Sequence, residues 1–103
     1  MKYQPSKKEL LEKLIGDQEE KLSEIPDEIG KLENELFLYG INEGFYTRKS
    51  VSGKSFWENA LADAQRRIRD TKRKLEIIKS KEYSRDIETY INFVKEKLTE
   101  LKE

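Results

Sequence analysis

The chain has 103 residues and a formal net charge of zero, with 41% charged and 35% hydrophobic residues. A chain of this length suits one domain, and this composition is more charged and less apolar than that of most globular domains. The sequence contains no Cys and no His. This excludes disulfides, thiolate nucleophiles and histidine-based proton transfer or zinc binding. Zero net charge also argues against a partner that is held by charge alone.

The first element is predicted from an apolar stripe whose residues recur at alternating steps of four and three. The stripe consists of Leu11, Ile15, Gln18, Leu22, Ile25, Ile29, Leu32, Leu36 and Tyr39. This spacing is typical of one face of a coiled-coil helix. Ser6 with Glu9 forms a capping-box pattern at its start, and Gly40 and Gly44 are the candidate stops. Pro26 interrupts the helix pattern but not its phase, so we predict one kinked helix over 7–43.

Two further stripes predict helices over 56–79 and 85–102. They consist of Trp57, Leu61, Ala64, Ile68, Thr71, Leu75 and Ile78, and of Ile87, Ile91, Val94, Leu98 and Leu101. The phase of the second stripe cannot continue into the third, which places a break near Ser80–Ser84, with Ser84 as the expected N-cap. Residues 44–54 combine Gly, Ser and strand-forming types and are expected to form an ordered loop or a short hairpin. We therefore expect an all-α fold, a three-helix antiparallel bundle or coiled coil forming a single domain.

The predicted helix lengths suggest self-association. A helix of about 36 residues is roughly 54 Å long and one of about 24 is roughly 36 Å, so an antiparallel second helix leaves the start of the first uncovered. The third helix could cover this overhang, either through the kink at Pro26 or by continuing nearly straight on from the second helix. A second copy of the chain could also cover it. We favour the second copy and expect a homodimer whose core or oligomer seam includes Leu11, Ile15, Gln18 and Leu22.

Charge is segregated along the chain, because residues 45–81 are basic and the segments on either side are acidic. The cations of the second helix are candidate nucleic-acid contacts, since Arg and Lys at helical spacing can follow a phosphate backbone. These candidates are Arg66, Arg67, Arg69, Arg73 and Lys74. The alternative is structural, with the basic helix pairing with acidic helices across a coiled coil. We favour the structural role.

Aromatic residues concentrate around the predicted loop. They could plug the end of the bundle, which is our interpretation of Phe37, Tyr39 and Trp57. They could also grip a partner, and for Phe45 and Tyr46 both interpretations stay open. The candidate partner-binding residues are Phe45, Tyr46, Arg48, Lys49 and Lys54.

No complete cofactor or catalytic motif is present in the sequence. Gly53-Lys54-Ser55 resembles the end of a phosphate-binding loop, but Arg48 occupies the position where that motif requires glycine. Carboxylates are absent from the second and third stripes, so we expect no metal site and no cofactor. The sequence favours a non-enzymatic, cytoplasmic helical protein that binds another protein as an adaptor, inhibitor or assembly component, without a membrane. The alternative function is a nucleic-acid-binding accessory protein.

Overall fold

The computed structural model describes residues 4–102, which form three α-helices joined by short connections. These helices are α1 (Lys7–Ser50), α2 (Ser55–Lys79) and α3 (Lys81–Lys102). No residue in this described range belongs to a strand. The predicted all-α class with three helices is therefore confirmed, and the alternative of a short hairpin between the first two helices was wrong.

Helix α1 runs through the predicted kink and past its predicted end. It continues across Pro26, which confirms one helix there rather than two. It also passes both candidate stops, Gly40 and Gly44, and ends at Ser50, so the loop expected over 44–54 shrinks to residues 51–54. An isolated glycine costs a helix only about 1 kcal/mol, and apolar side chains on both sides of each glycine favour continuation.

The end of α1 is fixed by backbone hydrogen bonds and by one glycine. The amide of Ser52 donates to the carbonyl oxygen of Lys49 at 3.1 Å, and the amide of Gly53 donates to that of Ser50 at 3.0 Å. Gly53 has a φ of 77°, a left-handed conformation that favours glycine over residues with a side chain. Gly53 therefore marks the stop of α1, because its backbone adopts this left-handed conformation.

The starts of α1 and α3 are each capped by a serine side chain. The amide of Glu9 donates to the Ser6 hydroxyl oxygen at 3.1 Å, which confirms the predicted role of Ser6. At α3 the prediction was four residues too late. The amide of Tyr83 donates to the hydroxyl oxygen of Ser80 at 3.2 Å, so Ser80 is the cap. Ser84 lies inside α3 and donates to the carbonyl oxygen of Lys81 instead.

The chain divides into two compact units, each containing part of α1. In the first unit, α1 up to Pro26 packs with α3. Ile15 forms a buried cluster with Ile87, Ile91 and Val94, and Leu11, Leu22, Tyr83 and Leu98 pack against it. α3 of the same chain therefore covers Leu11, Ile15 and Leu22, while Leu10 and Leu14 stay exposed. Coverage by the third helix is one of the alternatives that the sequence left open, and the homodimer expected from the sequence stays a prediction.

In the second unit, α1 from Asp27 onward packs with α2. Leu32, Ala64, Thr71 and Leu75 are its buried residues. Contacts between the two helices include, in order along α1, Glu33 with Lys79, Tyr39 with Arg67, and Phe45 with Trp57. In these contacts, residue numbers rise along α1 as they fall along α2.

Candidate interaction surface

The part of α1 in the second unit carries apolar residues on two opposite sides. One side is the predicted stripe, whose members Leu32, Leu36 and Tyr39 are buried or half-buried. Ile41 follows Leu32 by nine residues, which is two and a half turns of helix, so Ile41 lies on the other side. We call that side the exposed α1 face. It consists of Phe37, Leu38, Ile41 and Phe45, whose surfaces are 68%, 59%, 59% and 50% exposed.

The exposed α1 face is large for an uncovered apolar surface. A large side chain has about 150–250 Å² of surface. The exposed fractions therefore leave on the order of 450 Å² of apolar area, within the range of about 300–600 Å² for the largest patch on a typical monomer. Patches of this size are often functional. Four such residues on one helix side are not the scattered apolar residues that any protein surface carries.

Two glycines form one edge of the exposed α1 face. Gly40 and Gly44 are one turn apart, and beyond the adjacent backbone of α1 no heavy atom lies within 4 Å of the position that a Cβ atom would take at either residue. Together with Ile41, Phe45 and Arg48, they line a shallow groove along the helix. Because glycine has no side chain, a side chain from outside can approach the helix backbone closely there.

Aromatic rings cluster at the end of the unit where α1 meets α2. Trp57 is half-buried at the centre, with the ring centroids of Phe45 and Phe56 at 5.8 and 4.9 Å in edge-to-face geometry. The ammonium group of Lys49 lies 5.7 Å from the Phe45 ring and 5.9 Å from the Trp57 ring. This arrangement fits the predicted plug for Trp57. Phe37 does not join the plug, because it lies on the exposed α1 face.

The residues predicted to bind a partner lie mainly on a helix and not on a loop. Phe45, Tyr46, Arg48 and Lys49 occupy the last turns of α1, and Lys54 lies in the connection to α2. Phe45 borders the groove with Arg48, whereas Tyr46 is half-buried, with its ring centroid 6.1 Å from that of Trp57.

Sequence reasoning missed Phe37, Leu38 and Ile41 as surface candidates. The available signal was the spacing of four residues from Phe37 to Ile41 and from Ile41 to Phe45. These residues lie in the same segment as the first stripe but on the opposite side of the helix. A search for a single apolar stripe in this segment does not find them.

Two of the five cations predicted to contact nucleic acid are engaged by a carboxylate of the same helix. Arg66 and Arg67 both hydrogen-bond to the carboxylate of Asp63, with the Arg67 Nε atom 3.0 Å from it. The hydrogen bond from Arg67 is the main cause that lowers the pKa of Asp63, and the same bond raises the pKa of Arg67. These two guanidinium groups are thus partly neutralised within α2.

Two of the remaining cations share a groove on α2. Arg69 and Arg73 line it together with Lys72 and Lys79, and Glu76 lies among them. Lys74 is exposed but does not line this groove. The groove is therefore basic, with one carboxylate that reduces its positive potential.

The described residues 4–102 provide no group of three acidic side chains placed to hold a metal ion. Within the same range, none of the helices combines the length and apolarity that crossing a membrane requires. No family model, no curated protein and no solved structure is significantly similar to the chain. The functional assignment therefore depends on the surfaces described above.

Proposed function

We propose that the protein is a non-enzymatic helical protein-interaction module, of the adaptor, inhibitor or assembly type, and that it binds through the exposed α1 face. One observation carries this proposal: four large apolar side chains, each at least half exposed, share the side of α1 opposite its buried stripe, and of these only Phe45 also has a ring contact with α2, at Trp57. Such a surface is unfavourable in water and favourable at an interface.

The energetics indicate the kind of partner. Burying about 450 Å² at about 25 cal/mol per Å² yields on the order of 11 kcal/mol. Association costs about 4–15 kcal/mol, so this face alone gives little net affinity. The partner must therefore contribute apolar area of its own, as an apolar helix or groove does. Phe37 and Phe45 are the expected anchors, because aromatic side chains bury large areas and dominate interface energetics.

Site-specific photo-crosslinking in the native cell tests the proposal. We would replace Ile41 by p-benzoylphenylalanine, and in a matched control we would replace Ala62, which is exposed on α2. A protein adduct is expected from position 41 and not from position 62. Loss of the adduct when Phe37 and Phe45 are both changed to Ser would link it to the whole face. Absence of any protein adduct at position 41 would refute the proposal.

Nucleic-acid binding is the second candidate, and one observation favours it. Arg69, Lys72, Arg73 and Lys79 line a single exposed groove on α2, where their charges can add. It has less support than the first candidate because Asp63 engages Arg66 and Arg67, and because Glu76 lies within the groove.

A further inference from the structure

We infer that the occupant of the exposed α1 face is a second copy of this chain, packed antiparallel across it with a two-fold axis at Ile41. This inference rests on the proposed function and names the partner for the same surface. It differs from the dimer expected from the sequence, which used the start of α1 instead of residues 37–48.

The first argument is that the face is self-complementary. Phe37 and Phe45 lie four residues before and after Ile41, on the same side of the helix. A two-fold axis at Ile41 places Ile41 against its own copy, and it places Phe37 of one copy beside Phe45 of the other. A two-fold interface uses the same patch on both subunits, so it requires this kind of internal symmetry.

The second argument is the shape of the glycine edge. Viewed along the axis of α1, Phe37 and Gly44 are both rotated in the same direction away from Ile41. In the antiparallel pair, Phe37 of one copy therefore lies over Gly44 of the other, at the groove that Gly40, Gly44 and Arg48 line. The open space beside both glycines accommodates the ring. The guanidinium group of Arg48 lies at the end of this groove, where it can stack on the ring.

The third argument is charge. Arg48 lies seven residues after Ile41 and therefore on the same side of α1 as the exposed α1 face. A parallel pair would place two Arg48 side chains against each other at a cost in free energy. The antiparallel pair instead brings Arg48 to the level of Asn34 and Glu33 of the other copy. Glu33 is exposed and already pairs with Lys79 at 2.9 Å, and its carboxylate has the capacity to accept a further donor. Two such charge pairs form by symmetry.

The buried area suits a dimer of modest affinity. Two copies of the face, with the glycine edge and Arg48, bury on the order of 1,000–1,200 Å² in total, near the lower limit for specific interfaces. We therefore expect dissociation constants in the micromolar range.

Single-cysteine variants test the orientation directly, because the chain contains no Cys. Under mild oxidation, Ile41→Cys is expected to form a disulfide-linked dimer at least about tenfold faster than the control Ala62→Cys. Arg48→Cys is expected to crosslink no faster than the control, since the antiparallel pair separates the two copies of this residue. Fast crosslinking of Arg48→Cys would overturn the antiparallel arrangement, and slow crosslinking of Ile41→Cys would overturn the two-fold axis.

Light scattering tests the assembly. At about 50 µM, well above a micromolar dissociation constant, the unmodified chain is expected at twice its monomer mass of 12.2 kDa. Ile41→Glu is expected to be a monomer with unchanged helicity by circular dichroism. The matched control Phe93→Glu replaces a comparably exposed side chain on α3 and is expected to stay dimeric. A monomeric unmodified chain would overturn this inference.

The photo-crosslinking experiment separates the two proposals. An adduct of the chain with itself at position 41 supports both of them. An adduct with a different protein, together with a monomeric mass, overturns the second copy and leaves the proposed function intact. The absence of any protein adduct overturns both.

Discussion

A pair of alanine substitutions in α1 tests the idea that this helix has two opposite apolar faces. Leu32 is 5% exposed and Ile41 is 59% exposed, although both are aliphatic residues of one helix. Leu32→Ala removes a side chain from the packed contact with α2 and leaves a cavity. Substitutions of this kind cost about 2–5 kcal/mol of unfolding free energy. Because a two-helix unit can relax around the cavity, we expect a value near 2–3 kcal/mol.

Ile41→Ala is expected to change the unfolding free energy of the monomer by less than about 0.5 kcal/mol. More than half of the Ile41 side chain is in contact with solvent, so little buried area is lost. Alanine also has a higher helix propensity than isoleucine, by a few tenths of a kcal/mol, which offsets part of that loss.

Urea unfolding followed by circular dichroism at 222 nm measures both variants. A protein concentration of about 0.1 µM, roughly tenfold below a micromolar dissociation constant, keeps the dimer largely dissociated. A cost of Ile41→Ala equal to that of Leu32→Ala would show that Ile41 is packed within the monomer. A cost of Leu32→Ala below about 1 kcal/mol would show that the first stripe does not form the core.

Three further predictions concern Pro26, Asp63 and the α2 groove. Pro26→Ala restores a backbone donor within α1 and is expected to raise the unfolding free energy by about 1–3 kcal/mol, measured by urea unfolding. Pro5→Ala, ahead of the helix, is its control and should change little; lower stability of Pro26→Ala would contradict the reasoning. The pKa of Asp63 is lower in the folded chain than the ordinary carboxyl pKa, because Arg67 pairs with it. This pairing therefore stabilises the fold above the ordinary carboxyl pKa, and the stabilisation is lost as pH falls through the lowered pKa of the folded chain. Carboxyl NMR should show Asp63 titrating below its usual range, with its pKa rising toward that range in Arg67→Gln while Arg66 keeps part of the shift. A normal pKa in the unmodified chain would refute the pairing. If the groove binds nucleic acid, Arg69→Ala with Arg73→Ala should flatten the salt dependence of affinity more than Arg66→Ala with Arg67→Ala. Equal flattening by the two double variants, or no binding at low salt, would remove the groove from consideration.

The helical stripes could be predicted from the sequence because apolar periodicity reports which side of a helix will be buried. Every residue of the first and second stripes is buried or half-buried. The third stripe agrees except for Leu101, which is 47% exposed in the last turn of α3, where a helix has few neighbours. Capping at Ser6 was also predictable, because it depends on residues only three positions apart.

The end of α1 and the start of α3 were less predictable from the sequence than the stripes. The sequence alone does not distinguish Gly40, Gly44 and Gly53 as helix stops, yet of these three only Gly53 adopts the left-handed conformation that ends a helix. Similarly, Ser80 and Ser84 are both suitable caps. The choice between such alternatives depends on where the helix ends leave backbone carbonyl groups, and the helix starts leave backbone amides, without a partner inside the helix. The folded chain decides those positions.

The sequence by itself determined that this protein is helical and which residues form its stripes, since both follow from local periodicity. Only the tertiary structure decided that α3 covers Ile15, and that Phe37, Leu38, Ile41 and Phe45 stay exposed. The physical reason is that each part of α1 has one neighbouring helix within its unit. A helix covers only one side of its partner. Where apolar residues occur on two sides, as in α1, the sequence does not show which side will be buried.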